Sequence, residues 1–258
     1  MLVKATHTTG YDVLASDGTL GTVSDLLFDD ASWTVRWLVV ETGSWWADHR
    51  VLIPASALGH PDPEARRFPV NLTMAQVKGS PDVDTHRPVS RQFESSAYDY
   101  YGYSPYWGTD LYMGGFGYWG GMAPMAPSPE TEPRAEEIAR VQRRNDDPNL
   151  RSVADISTYH IHATDGEIGH LSDVLIDDSD WSVKYLIVNT SNWWQGKEVL
   201  ISPRSTESIR WTEHLIYLGV NRDRVRTSPE YDASRPITTA FDTEMASHYG
   251  PTKPANAA

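Results

Sequence analysis

Three histidines carry the sharpest chemical signal in the chain. His160 and His162 alternate within HIHA, so on a β-strand they face the same way, and His170 follows a short polar turn later. Two imidazoles on one strand face are one way to offer nitrogen ligands to a metal such as zinc, with His170 as the third candidate. The other reading is solvent-facing imidazoles on an outward strand face. Spacing fixes no third ligand, and the equivalent positions earlier in the chain are Asp12, Leu14 and Thr22. Adjacent carboxylates at Asp29-Asp30 and Asp177-Asp178 lack the ligand order of a calcium loop, and the expectation for them is turn capping through backbone N–H groups. Asp25 and Asp173 read as ordinary polar strand residues.

Paired tryptophans at Trp45-Trp46 and Trp193-Trp194 each precede a short apolar run. One ring of each pair plugs the end of a barrel, or the pair forms an aromatic binding surface. Ser24 and Ser172 have no nucleophile-elbow context, and the chain contains neither a dinucleotide fingerprint nor a phosphate-cradling loop with lysine. The expectation is therefore a protein that is not an enzyme and takes no cofactor.

What must position these residues is a duplicated module. Tyr11 to Gly102 lies on Tyr159 to Gly250 at one constant offset with no gap, and the densest stretch is identical at roughly half of its positions. Such a period is far longer than the ~20–50 residues of a solenoid repeat, so each copy is expected to be a domain with its own core. The sequence divides into a first barrel at 1–80, a helical tail at 81–103 and a linker at 104–148. A second barrel at 149–228 and a second tail with the C-terminus at 229–258 complete it.

Within each copy, Asp17-Gly18 and Asp165-Gly166 separate two apolar runs and predict type I′ hairpins. In the strand after the Asp-Asp turn, a period of two puts Trp33, Val35, Trp37 and Val39 on one face, with Leu38 and Val40 opposite. Val51 to Ile53 and Phe68 to Leu72 add two strands, matched by Val199 to Ile201 and Leu215 to Val220. Gly21 and Gly169 mark a bulge or bend, which favours a small closed or partly closed barrel. Thr73 and Asn221 are helix-capping residues ahead of one short helix, and a tail carrying Phe93 or Phe241 follows. The sequence leaves open which barrel each tail joins, including exchange between copies.

The 258 residues hold 22 Lys and Arg against 35 Asp and Glu, a net charge of −13 spread along the chain. No basic stripe exists to grip phosphates, which argues against direct nucleic-acid binding. With no cysteine, disulfides and thiolate chemistry are excluded. The N-terminus has no secretory apolar stretch and no run spans a bilayer, so a cytoplasmic location without a membrane span is expected. The linker is rich in Tyr, Trp, Gly, Met and Pro. Its aromatics, Tyr106, Trp107, Phe116 and Trp119 among them, pack on the barrels, bind a partner or stay disordered.

The order ATDGEIGHLSDVLIDD, WSVKYLIVNT and NWW..KEVLI, whose Asp-Gly turn, bulge glycine, Asp-Asp turn and strand Trp or Tyr recur in the first copy, closely resembles the PRC-barrel family. The S-P-x-x-D-x-x-R-P tail ending in Tyr-Gly is similar to that of its tandem bacterial members. That family includes the cytoplasmic domain of the photosynthetic reaction-centre H subunit and the C-terminal domain of a ribosome-maturation factor. The resemblance implies a mainly β fold of two tandem small barrels, each with a short helix and a helical C-terminal tail. It also implies a noncatalytic scaffold or adaptor working through protein contacts, with Trp45, Trp46, Trp193, Trp194, Tyr106, Trp107, Phe116 and Trp119 as the partner-binding candidates. The alternatives are an H-subunit-like peripheral component of a photosynthetic or electron-transfer membrane complex, and a small-molecule or metal-binding protein. For assembly, the duplication implies an intra-chain pseudo-dimer or a homo-oligomer.

Overall fold

A computed structural model describes residues 1–43, 46, 49–80, 98, 100–103, 150–190, 197–232 and 237–249. The first repeat runs through β1 (Leu2–Lys4), α1 (Ala5–Thr8), β2 (Asp12–Ala15), β3 (Gly18–Asp29), β4 (Thr34–Thr42), β5 (Arg50–Pro54), β6 (Arg67–Pro69) and α2 (Met74–Lys78). The second runs through β7 (Leu150–Ser152), α3 (Val153–Ile156), β8 (His160–Ala163), β9 (Gly166–Asp177), β10 (Val183–Asn189), β11 (Glu198–Ile201), β12 (Thr206–Arg210), β13 (Leu215–Leu218), α4 (Arg222–Arg226) and α5 (Thr239–Tyr249). Strands hydrogen-bond in the order β5-β4-β3-β2-β6 in one sheet and β11-β10-β9-β8-β13-β12 in the other. The β2–β6 and β8–β13 pairs are parallel and the rest antiparallel. The fold is mainly β with two barrel-like sheets, but among the described residues neither ladder returns to its first strand, so each barrel is open.

The two sheets trade strands. β2 covers only the first part of β3, from Gly18 to Thr22, which leaves the far half of that edge without a partner from its own repeat. Unpaired backbone N–H and C=O groups on an edge are costly when covered and sticky when not. β7 of the second repeat fills this gap, with Leu27 opposite Ser152, Phe28 opposite Arg151 and Asp29 opposite Leu150. Reciprocally, β1 lies on β9, with Leu2 opposite Asp177, Val3 opposite Ile176 and Lys4 opposite Leu175. Within the expected first barrel at 1–80, β2 to β6 form one sheet while β1 hydrogen-bonds to the other.

One apolar core runs through both repeats, joining Val13, Leu20, Phe28 and Leu38 to Ile156, Ile161, Leu171 and Leu186. Bulges decide which side chains reach it. The β3–β4 register slips between Val23 and Asp25 and again between Leu27 and Phe28. Each slip inserts one residue and flips the alternation beyond it. Val35 consequently joins Leu38 and Val40 in the shared core, while Trp37 and Val39 belong to a separate outer cluster. This corrects the uniform alternation expected from Trp33 to Val39. Trp33 itself sits in the turn before β4 with φ 52°, as its counterpart Trp181 does with φ 58°.

The hairpin turns also differ from the expectation. Ala15 pairs with Gly18 and Ala163 with Gly166, so the turns are Ser16-Asp17 and Thr164-Asp165, and none of these four residues has positive φ. A tertiary contact sets the geometry: the Asp17 carboxylate accepts from Met74 N at 2.7 Å and Asp165 from Arg222 N at 2.8 Å, tying each hairpin to α2 or α4. Thr73 caps α2 with a full capping box to Gln76, and Asn221 caps α4 through Arg224 N, as their residue types imply. Gly21 is required where β3 passes β4: its φ is 153° and a Cβ there would lie 2.1 Å from Glu41 O. Gly169 repeats this against Asn189 O at 2.0 Å with φ 143°.

Outside the shared core, each sheet carries a second apolar layer. In the second repeat, α5 docks on its own sheet, burying Met245 against Leu175, Tyr185, Ile187 and Leu200 with Phe241 and Leu2 beside them. In the first, Tyr98 covers Trp37, Val39 and Leu52, and Leu150 from the other repeat completes the layer at 6% exposure. Burying one leucine to this extent contributes about 1.5–3 kcal/mol. Among the described residues, no helix is long and apolar enough to cross a membrane.

Candidate functional site

The histidines lie on the β8–β9 ladder. Ile161 and Ala163 point into the protein and leave His160 exposed and His162 half-buried on the opposite face, as the alternation requires. His170 stands directly across from His160. The imidazoles have other company: His160 Nδ1 lies 2.9 Å from Glu167 Oε1, and the His162 ring packs on Tyr217 at 5.5 Å between centroids. Among the described residues, no group of three or more His, Cys, Asp or Glu side chains converges in a way that holds a metal ion.

Beside them, β12, β13 and the turn between them meet Arg151 of β7 and Tyr159 in a cluster of rings and guanidinium groups. Arg210 lies over the Tyr217 ring at 5.1 Å and Arg151 over Trp211 at 4.2 Å, both within cation–π range. His214, in the left-handed conformation at φ 56°, stacks on Tyr159 at 4.8 Å with ring planes 3° apart. The Tyr159 hydroxyl donates to Asp155 Oδ2 at 3.2 Å, and burial, reinforced by the Asp155 charge, pushes its phenol up to about 12.

The densest polar constellation is the face between the repeats, and the sequence reading missed it. Asp25 follows a bulge in β3, which turns its carboxylate toward the arriving arm of the other repeat. Oδ2 accepts from Ser152 Oγ at 2.5 Å, and Oδ1 accepts from Ala154 N at 3.2 Å and Leu26 N at 2.8 Å. Burial lifts this carboxyl above its ordinary value in spite of those donors. Asp173 makes the matching set, accepting from Thr6 Oγ1 at 2.5 Å, Thr6 N at 3.2 Å and Val174 N at 2.8 Å. These two residues, expected to be ordinary strand polars, are the staples that hold each exchanged arm.

The Asp-Asp turns divide their labour. Asp29 caps its turn by accepting from Ser32 N at 2.6 Å, and Asp177 accepts from Ser179 N at 3.0 Å, which is the expected capping. The second carboxylate of each pair reaches across: Asp30 Oδ2 accepts from Arg151 Nε at 3.2 Å, and Asp178 Oδ2 lies 2.9 Å from His60 Nδ1. At the centre, Val35 N donates to Trp181 O at 2.8 Å and Val183 N to Trp33 O at 2.7 Å. The Trp181 ring stacks on Phe68 of the first repeat at 5.6 Å, so the left-handed tryptophans link the two halves. A signal for this face does exist in the sequence: Ser-Asp recurs inside an apolar strand of each copy, where a carboxylate needs partners from elsewhere.

Of the aromatic partner-binding candidates, Trp46 is half-buried on the β4–β5 loop, packed on the shared core and stacked on His49 at 4.9 Å. Trp45, Trp193, Trp194, Tyr106, Trp107, Phe116 and Trp119, with the 104–148 linker, lie outside the described residues.

Comparison with known proteins agrees with this architecture. The family model of the PRC-barrel domain matches residues 4–74, which span α1 to the start of α2. The second repeat, beyond that match, reproduces the same strand order through β11, β10, β9, β8 and β13. No curated protein matches the chain.

Proposed function

Starting from a PRC-barrel domain at residues 4–74 and a second copy of its topology, we propose that the protein is a noncatalytic adaptor of the cytoplasm that binds protein partners. The observation that carries this reading is the single apolar core running through both repeats, closed on either side by a traded strand. Such a body holds two related outer faces in one fixed relation, which suits a scaffold that brings partners together. Its buried carboxylates serve to hold the repeats to each other. The half-exposed rings at Trp46 and along β12–β13 supply amphipathic surface of the kind enriched at protein interfaces.

The test is quantitative affinity capture with the full chain as bait, comparing the parent with Trp46→Ala. The urea midpoint of each bait is measured alongside, so that lost binding is separated from lost folding. The reading expects at least one protein enriched at near-stoichiometric levels and depleted with the variant. Recovery of bait alone from both, at a sensitivity that detects a spiked control, would remove the adaptor reading.

A further inference from the structure

We propose that the face joining the two repeats also joins this protein to a second copy of itself, the arm 2–8 of each chain lying on β9 of the other and the arm 150–156 on β3. Each repeat carries both halves of the contact. The donor is a three-residue strand with its short helix, and the socket is the far half of the long strand with its carboxylate staple. Every element of this contact is indifferent to whether donor and socket share a chain.

What favours one arrangement is the tether, and the tether is much longer than the gap it crosses. Tyr103, at the end of the first repeat, packs in the same small cluster as Leu150, the first residue of the second. A connection of a few residues would therefore serve, yet the chain places 46 there, and closing a longer loop costs more entropy, which narrows the advantage of pairing within one chain over pairing between two. Pairing within one chain dominates when the protein is dilute, and pairing between chains grows with protein concentration. This deepens the adaptor reading by naming one partner, and it rests on that reading only in treating the protein as an assembly module.

Complementary charge reversal in the full chain tests it. Asp30→Arg sets two guanidinium groups against each other within one molecule, and Arg151→Asp sets two carboxylates against each other in another. In a mixed pair, one interface regains an opposite-charge contact and the other keeps the native one. Because the chain has no cysteine, Lys4→Cys placed in the first variant and Leu175→Cys in the second, which are ladder partners, form a disulfide only across molecules. Lys4→Cys and Leu175→Cys together in one parent chain report the exchange itself.

The double-cysteine chain is expected to cross-link internally and run as a monomer. The mixed charge-reversed pair, refolded together, is expected to give a covalent heterodimer several-fold above the same cysteines on parent backgrounds, rising with concentration. A pair with Glu207→Cys on β12 in place of Leu175→Cys should give none above background. Should the reversed chains fail to fold, the parent-background pair across a concentration series decides through the same rise. Internal cross-linking with no concentration-dependent heterodimer overturns self-pairing, and absence of the internal cross-link overturns it by removing the exchange. Neither outcome touches Trp46-dependent capture of a different protein.

Discussion

Replacing Asp173 by alanine removes the acceptor that pins the arm of one repeat to the sheet of the other. Asp173 is 5% exposed, so water does not readily substitute for it. The change strands Thr6 Oγ1, at 2.5 Å, and the amides of Thr6 and Val174, at 3.2 and 2.8 Å. Hydrogen bonds to a charged group are worth about 1.5–3 kcal/mol each, and relief from burying a carboxylate offsets part of the two that cross between repeats. The net expected loss is about 2–4 kcal/mol, which for a chain of this length lowers Tm by roughly 4–16 °C. Urea denaturation followed by tryptophan fluorescence reads the total. A cycle with Thr6→Val isolates the coupling, expected at about 1–2 kcal/mol. Hydrogen exchange should rise first at residues 2–8, before the strands of either sheet. Stability within about 0.5 kcal/mol of the parent, with exchange at 2–8 unchanged, would refute the assignment of Asp173 as the staple.

Asp25 answers differently to pH. Burial raises its carboxyl above the ordinary 3.8, so its contribution to stability is complete below that value and is lost as pH rises through the folded pKa. Asp25→Asn, neutral throughout and still able to accept from Ala154 N and Leu26 N, should be more stable than the parent at pH 7, with the advantage shrinking as acid is added; a difference that ignores pH contradicts the burial argument. Gly169→Ala forces a Cβ to within 2.0 Å of Asn189 O at a φ of 143°, and should cost about 2–5 kcal/mol in urea denaturation. Near-parent stability there would mean that β9 and β10 can separate at Gly169 without cost, which contradicts the close approach to Asn189. Tyr185→Phe deletes the 2.6 Å hydrogen bond to Asp242 that anchors α5. Proteolysis within 237–249 should quicken by the equivalent of about 1–2 kcal/mol while the sheets keep their protection, and equal cleavage rates would show that the tail is held by apolar packing alone.

The strands and caps were legible because their causes are local. Alternation in HIHA put His160 and His162 on one face, as found, and Thr73 and Asn221 cap α2 and α4 through their own side chains. Alternation alone puts Val35 on the wrong face because the bulge that moves it exists only in the pairing of β3 with β4. The Asp-Gly turns depart from type I′ for a related reason: Asp17 and Asp165 answer to helix amides 57 residues away rather than to their neighbours. Of the candidate site, the Asp-Asp capping was legible, whereas Asp30 and Asp178 act on residues more than a hundred positions distant.

The amino-acid order by itself determined that one module occurs twice, that it is built of short apolar strands, and where its turns and helix starts fall, since periodicity, capping and repetition are written along the chain. It did not determine that the repeat extends to Leu2 and Leu150, where the aligned arms share little beyond that leucine, nor that each arm crosses to the other sheet. Strand pairing uses backbone N–H and C=O groups that nearly every residue possesses, so a short arm carries no address. Only the folded molecule, with half an edge of β3 and of β9 left open and a buried carboxylate waiting beside each, decides where that arm goes.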